Sequence, residues 1–159
     1  MATVEVTFTP LPVHVRTARL VATAVARRSG VAESLLDEVR LAVGEACSRA
    51  VEAHMRHCPG QPIRVKLTDD GEQFEVVVTD AVPDAVHNVP VGTVAVNGNS
   101  AVPPAAPAGF GVAVVDGEVP LRLPDGVGLA VIAGLADDVR VAPAGSGTSV
   151  TMSWKRRTA

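Results

Sequence analysis

Glu45 and Arg49 stand four residues apart in a strongly helical stretch, and both are residue types that could carry chemistry. Side chains four positions apart on a helix are neighbours. A carboxylate in such a place can serve as a general base that accepts the proton of an attacking hydroxyl. A guanidinium has only donors and a permanent charge, so Arg49 could meet phosphate oxygens but would repel a metal ion. A second interpretation stays open, in which Glu45 only pairs with Arg49 one turn later.

Four further residues stand at the ends of predicted elements. Asp80 ends an alternating run, Gly126 and Gly128 precede a helical run, and Thr148 follows Gly147. Free N–H groups at the start of a helix can hold phosphate, which would give the two glycines a binding role. Each of these residues also has a structural interpretation, because such residues are common in turns and hinges.

Two cysteines and two histidines, Cys47, His54, His57 and Cys58, could bind metals by type, but their spacing does not suit one ion. Cys47 and His54 are separated by about 10 Å of helical rise, whereas zinc ligands converge within ~2.3 Å of the metal. We therefore predict no metal site. The two cysteines are separated by about 16 Å of rise, too far for a disulfide, so the sequence favours reduced thiols and a cytoplasmic protein.

The hydropathy pattern predicts the elements that must position these residues. Period-two alternation indicates strands, and apolar residues at three- and four-residue spacing indicate helices. The predicted order is a strand over 3–9, helices over 13–29 and 33–56, strands over 63–67 and 74–78, a long loop, a short helix that ends at Leu135, and strands over 139–141 and 149–154. The first helix is expected to bury Leu20, Val21, Ala24 and Val25, and the second Leu35, Val39, Ala42, Val43, Ala46 and Ala50.

The segment 81–125 has no clear periodicity. Seven prolines lie in it, at positions 83, 90, 103, 104, 107, 120 and 124. Proline removes a backbone donor and is excluded from helix interiors and central strands, so this segment is predicted to be a loop. Loops of that length in a compact domain are usually functional lids or disordered segments, and we expect a mobile lid.

Length and charge limit the classes of function. A chain of 159 residues and 16.3 kDa suits one core, so we predict a single domain over 1–159. The net charge of −3 and the pI near 5.8 supply no broad positive field, which disfavours direct binding of nucleic acid. The sequence shows neither a secretion signal nor an apolar run of about 20 residues, so we expect no membrane association.

Two phrases of the sequence carry a family resemblance. Residues 41–54 read LAVGEACSRAVEAH, and residues 126–139 read GVGLAVIAGLADDV and lead to Gly147-Thr148-Ser149-Val150. They resemble LAVSEACTNAVEHA, and GLGLALIxxLADEV followed by GTxV, in the small bacterial anti-sigma factors that are also serine kinases. These proteins are a branch of the histidine-kinase-like ATPase (GHKL) superfamily. The resemblance implies an α+β Bergerat fold, a two-layer sandwich in which a mixed or antiparallel sheet is covered on one face by helices, with a long Pro/Gly-rich lid.

The same resemblance assigns roles to the candidate site residues. The family's catalytic base, a glutamate, maps onto Glu45, and its adenine-binding aspartate maps onto Asp80. The ATP site would further include Arg49, Gly126, Gly128 and Thr148. The family's histidine would fall at Ala53, whereas this chain has His54.

Three positions depart from the family pattern. Arg49 replaces the asparagine whose carbonyl oxygen binds Mg²⁺ in the family. Val82 and Asp84 replace two glycines that let the backbone approach the nucleotide. We therefore expect ATP binding to be weak or lost, and Mg²⁺ binding to be compromised by Arg49.

The resemblance implies a function in partner switching. We expect an anti-sigma factor that forms a homodimer, sequesters an alternative sigma factor, and is countered by a STAS-domain anti-anti-sigma factor. The first helix, with Arg16 and Arg19 exposed, is the expected docking face. Two alternatives stay open: an active ATP-dependent serine kinase that phosphorylates the STAS antagonist with Arg49 as a phosphate clamp, and a protein-interaction module outside sigma control.

Overall fold

The computed structural model describes residues 1–82 and 127–156. These ranges contain five strands and three helices: β1 (Ala2–Phe8), α1 (Pro12–Arg28), α2 (Glu33–His57), β2 (Ile63–Asp69), β3 (Gln73–Asp80), α3 (Val127–Leu135), β4 (Asp138–Ala144) and β5 (Gly147–Lys155). The order of elements predicted from the sequence is confirmed, and so is the α+β fold class. The lid expected over 81–125 lies outside the described residues except for Ala81 and Val82.

The five strands form one sheet in the order β1-β2-β3-β5-β4, and every pairing between them is antiparallel. Antiparallel neighbours can be joined by tight turns, and the Asp70-Gly71 step supplies the turn between β2 and β3. Gly71 has a φ of +95°, and its N–H donates a hydrogen bond to the Asp69 carboxylate at 2.9 Å. The predicted hairpin is therefore confirmed.

The sheet has one apolar face and one polar face. On the apolar face the register pairs Val65 with Val78, Val76 with Met152, and Phe74 with Trp154. All six side chains are at most 2% exposed, and each large apolar side chain buried in this way contributes roughly 2 kcal/mol to folding. The alternate positions lie on the other face, where Arg64 on β2 forms a salt bridge with Glu5 on β1 at 3.2 Å. This alternation places the core between the sheet and the helices.

The long helix α2 lies at the centre of the helical layer, where it contacts α1, α3 and β3. Its buried stripe is Leu36, Val39, Ala42, Val43, Gly44, Ala46, Cys47, Ala50, Val51 and His54. The predicted stripe is confirmed apart from Leu35, which is only half-buried. Small residues in this stripe allow close packing of neighbouring elements. The end of α3 is joined to the sheet by a hydrogen bond, which the Trp154 indole N–H donates to the Leu135 carbonyl at 3.0 Å.

The buried face of α1 differs from the sequence prediction. Leu20 is 60% exposed and Ala24 is also exposed, whereas Val21 and Val25 are half-buried. The fully buried positions are Val15, Ala18, Ala22 and Ala26. Both sets have helical spacing, and the high hydrophobicity of Leu20 led the sequence prediction to the wrong face of the helix. Alanines face inward because they let α1 pack closely on α2, which leaves the larger Leu20 at the surface.

A helix needs about 20 predominantly apolar residues to cross a lipid bilayer. Among residues 1–82 and 127–156, no helix is both long enough and apolar enough to span a membrane.

Candidate functional site

Asp80 and Thr148 face each other across the sheet, at the end of β3 and near the start of β5. They are 8% and 1% exposed. The Asp80 carboxylate accepts a hydrogen bond from the Val82 N–H at 2.9 Å, and the Thr148 hydroxyl donates to the Val82 carbonyl at 3.2 Å. The tertiary structure thus brings together two residues that the sequence assigned to one site, and Val82 connects them.

Gly147 makes this close approach possible. A Cβ added at this position would lie 2.7 Å from the carbonyl carbon of Asp80 and 2.9 Å from the Cα of Ala81, and would overlap the Asp80 carbonyl oxygen. Backbone atoms cannot swing aside as a flexible side chain can, so only glycine fits between the two strands here. The sequence signal was the Gly-Thr step at the start of a strand, but a turn has the same signal.

Val82 fills the end of the site. It stands where the resemblance places a glycine, and its side chain is fully buried. Its N–H and its carbonyl are both bonded within the chain, to Asp80 and Thr148. The end of β3 is therefore closed by its own backbone and by an isopropyl group. Asp84, which replaces the second glycine, lies outside the described residues, as does Gly126.

His54 joins the end of α2 to the end of β3, and it is fully buried. Its Nε2 accepts a hydrogen bond from the Ala81 N–H at 2.9 Å, and its Nδ1 lies 2.9 Å from the Gln61 carbonyl oxygen. Because Nε2 is an acceptor, the ring proton is assigned to Nδ1, which donates to Gln61. From the sequence, His54 was a candidate only because histidine is a metal-binding residue type. Its two true partners lie 7 and 27 residues away, where no local pattern could point to them.

Glu45 lies half-buried on α2. Burial raises the pKa of its carboxyl above the ordinary value of 4.5, because a partly desolvated carboxylate is less stable in its charged form. Arg19 opposes this rise in pKa, Glu52 adds to it, and Arg49 lowers the pKa least. A raised pKa makes a carboxylate a better proton acceptor, as a general base requires.

Arg19 reaches from α1 across to α2, where its side chain lies over the buried Gly44. A Cβ at position 44 would stand 3.0 Å from Cδ and 3.1 Å from Cζ of Arg19. The absence of a side chain on Gly44 therefore gives the arginine room beside Glu45. Arg19 is exposed, as the sequence predicts, but its contact with α2 spans 25 positions of the chain and has no local signal.

Arg49 lies half-buried in the turn of α2 that follows Glu45. If Glu45 serves only as a charge partner, Arg19 is a more important partner than Arg49, because it lowers the Glu45 pKa more. Glu45 precedes His54 by about 14 Å of helical rise, so the carboxylate and the Asp80 turn adjoin different stretches of α2. Gly128 lies in the first turn of α3, which packs against α2.

The two thiols differ in their surroundings, and both are free. Cys47 is fully buried, and burial raises the pKa of its thiol to about 12. Cys58 is half-buried, and its pKa is raised first by burial and then by the negative charge of Asp80. Within the described ranges, no group of three or more potential ligands comes together to hold a metal ion.

Known proteins resemble this arrangement over most of the chain. Residues 8–154 match the model of the histidine kinase-like ATPase domain family. Among solved structures, the chain is similar to the crystal structure of the RsbU and RsbW domains of Rv1364c from Mycobacterium tuberculosis, with a TM-score of 0.62 and 17% sequence identity. That match covers 100% of this chain but 34% of the other, so this chain spans about a third of its length.

At 17% identity, the structural likeness shows a common fold. No curated protein matches the chain significantly. The family match is the stronger evidence of membership. It includes residues 41–54 and 126–139 and all the site residues described above, from Arg19 to Thr148. This chain belongs to the histidine kinase-like ATPase domain family, whose members in general are nucleotide-binding domains.

Proposed function

We propose that this chain is an anti-sigma factor that sequesters an alternative sigma factor by stoichiometric binding and is released by a STAS-domain antagonist. In this proposal the protein acts as a cytoplasmic homodimer, and its nucleotide site is weak or lost. Family membership and the structural likeness to a protein with an RsbW domain support the general type.

The observation that carries the proposal is the closure of the site at Val82. The fully buried isopropyl group stands where the family pattern has a glycine, and the adjoining backbone is bonded to Asp80 and Thr148. A nucleotide base would have to displace this side chain or separate these bonds. Arg49 adds a second obstacle, because a guanidinium cannot replace the amide oxygen that binds Mg²⁺.

The surface of α1 supports protein binding. Residues 12–28 contain Arg16, Arg19, Arg27 and Arg28 and no acidic residue, although the whole chain has a net charge of −3. Val13 and Leu20 are 67% and 60% exposed on the same helix. A surface that combines positive charge with exposed apolar groups suits a partner helix with acidic and apolar side chains. We assign sigma-factor binding to this surface.

Two measurements on the purified chain test the proposal. Isothermal titration calorimetry with Mg-ATP should give no heat of binding in the micromolar range. Affinity capture from an extract of the source cells, followed by mass spectrometry, should recover a sigma factor or a STAS-domain protein. Micromolar binding of Mg-ATP would refute the degenerate site, and capture of neither partner class by a chain that is folded and immobilised would refute the switching role.

The raised pKa of Glu45 favours a second candidate, an active serine kinase. In that reaction Glu45 would take the proton of a serine hydroxyl on the STAS protein, the serine oxygen would attack the γ-phosphorus of ATP, and ADP would leave. Arg49 would then act as the phosphate clamp in place of a metal ligand. Substitution Arg49→Ala would abolish phosphate transfer if the kinase is active, and would leave sigma binding unchanged if it is not.

A further inference from the structure

Three backbone groups of Ala81 and Val82, just past the end of β3, are held by three side chains from three different elements. The Ala81 N–H donates to Nε2 of His54 on α2. The next amide, that of Val82, donates to the Asp80 carboxylate, and the Val82 carbonyl accepts from the Thr148 hydroxyl on β5. Each of these three side chains is at most 8% exposed. The turn is therefore fixed by side chains, beyond the last paired residue of the strand.

The imidazole of His54 connects this turn to a second segment. Nδ1 donates to the Gln61 carbonyl in the connection between α2 and β2, while Nε2 accepts from Ala81. Burial of an imidazole among apolar side chains is costly unless both nitrogens are hydrogen-bonded, and here both are. A leucine would fill a similar volume without that requirement, so packing alone does not call for a histidine.

Ala81 lies between Asp80 and Val82, the two residues at the end of β3 that form part of the candidate site. The peptide unit that carries the Ala81 N–H also carries the Asp80 carbonyl, so its orientation is fixed together with the backbone of Asp80. With the peptide unit held by His54, the Asp80 carboxylate is set in place to accept from Val82.

We propose that His54 is a positioning residue, which holds the Ala81 amide through Nε2 and thereby sets the direction of the Asp80 carboxylate in the candidate site. The inference rests on the proposed function insofar as that function identifies the Asp80 turn as a former or weak nucleotide site. The hydrogen bond itself is independent of any ligand and can be tested on the chain alone.

The test compares two substitutions of His54 in the full chain by NMR. In the wild type, a scalar coupling across the hydrogen bond should connect Nε2 of His54 with the Ala81 nitrogen. In His54→Leu the Ala81 amide should exchange with solvent roughly tenfold faster or more, relative to the Val76 amide in the middle of β3. In His54→Gln, whose amide group can both donate and accept, most of the protection should return.

Two control variants separate positioning from general loss of stability. His57→Leu changes an exposed histidine on the same helix and should leave the Ala81 amide protected. Val51→Ala removes buried volume one turn before His54 and should weaken all core amides alike. The proposal would be overturned if the Ala81 amide in His54→Leu exchanged as slowly as in the wild type. It would also be overturned if, at matched stability, the Ala81 amide exchanged as fast in Val51→Ala as in His54→Leu.

A ligand arm distinguishes this inference from the proposed function. Substitution Val82→Gly should open the site to ADP, and the added affinity should be lost in the Val82→Gly/His54→Leu double variant but retained with His54→Gln. If Val82→Gly binds no ADP, the assignment of a closed nucleotide site fails, whereas the amide exchange data still decide the role of His54. If the double variant with leucine binds ADP as tightly as Val82→Gly alone, the positioning role fails.

Discussion

Arg19 on α1 lies over Gly44 on α2, so a positive charge from the first helix reaches the face that carries Glu45. The arginine opposes the effect of burial on the Glu45 pKa, and glycine at position 44 leaves the room that this contact needs. One residue of the predicted docking face is thereby linked to the candidate base. A partner that draws Arg19 away would alter the protonation of Glu45.

We expect the Arg19→Ala variant to raise the Glu45 pKa further, because its largest opposing charge is removed. Gly44→Ala should act in the same direction by displacing the guanidinium. Titration of the Glu45 carboxyl carbon by NMR would measure both effects. Arg16→Ala, an exposed arginine on the same helix, is the matched control and should change the Glu45 pKa less. A Glu45 pKa that is unchanged in Arg19→Ala would contradict the link.

The raised pKa of Glu45 also fixes the sign of its effect on stability. Since the folded chain binds the Glu45 carboxyl proton more tightly than the unfolded chain, protonation of Glu45 stabilises the fold. This stabilisation is fully present below pH 4.5 and is lost as pH rises through the folded-state pKa. At pH 7, Glu45→Gln should therefore increase the free energy of unfolding slightly, by less than about 1 kcal/mol because water screens a half-exposed group. Urea unfolding at pH 4 and pH 7 would measure the difference, and a loss of stability at pH 7 would show that the ionised carboxylate is instead stabilising.

Gly147→Ala should destabilise the fold by about 2–3 kcal/mol, because the added methyl group overlaps the backbone of Asp80 and Ala81. Chemical denaturation would measure the loss, and NMR shifts should change most at the Asp80–Thr148 pair. Gly60→Ala is the matched control, since no atom lies within 4 Å of an added Cβ there. That variant should remain within about 0.5 kcal/mol of the wild type. Equal stability of the two variants would show that β3 and β5 can separate at little cost.

Val82→Gly should lower the free energy of unfolding by about 1–3 kcal/mol, because it removes a fully buried side chain. It should also increase nucleotide affinity, and Arg49→Asn in the same chain should make that binding dependent on Mg²⁺. Calorimetry with and without EDTA would measure both changes. Val78→Ala provides a control that loses buried volume from β3, before the turn that contains Val82, and it should not bind nucleotide.

Asp80→Asn should lower the Cys58 pKa, because the carboxylate is the second cause of its rise after burial. Labelling of Cys58 by a disulfide reagent near neutral pH should then become a few times faster, since the thiolate is the reactive form. The asparagine oxygen can still accept from the Val82 N–H, so the turn is retained. Asp70→Asn, a carboxylate in the exposed β2–β3 turn, should have no such effect. Cys47, buried and with a pKa of about 12, should react only on unfolding.

Local patterns predicted the helices and strands well because apolar residues recur with a helical or a strand period along them. β2 alternates apolar and charged residues over 63–67, every second residue of β3 is buried, and the Asp-Gly turn between them fixes their register. The pattern was misleading on α1, where two stripes have equally good helical spacing. Leu20 is exposed whereas Ala18, Ala22 and Ala26 are buried, because small side chains on the inward face let α1 pack closely on α2.

The candidate site was predicted only in part. Asp80 and Thr148 could be assigned to one site through the family resemblance, and the β3–β5 register confirms that they are neighbours. The close approaches at Gly44 and Gly147 could not be predicted from residue spacing, because each depends on an element that is distant in the sequence. The roles of Glu45 and Arg49 remain predictions.

The sequence by itself determined the order of strands and helices along the chain, the hairpin turn at Asp70-Gly71, and the three departures from the family pattern at Arg49, Val82 and Asp84. These are local properties of residue type and periodicity. Only the tertiary structure decided that His54 is hydrogen-bonded to Ala81 and Gln61, and that Arg19 lies over Gly44, where its charge lowers the Glu45 pKa. Hydrogen bonds and charges act over a few ångströms in space, whatever the distance along the chain, so only packing of the elements can establish which groups meet.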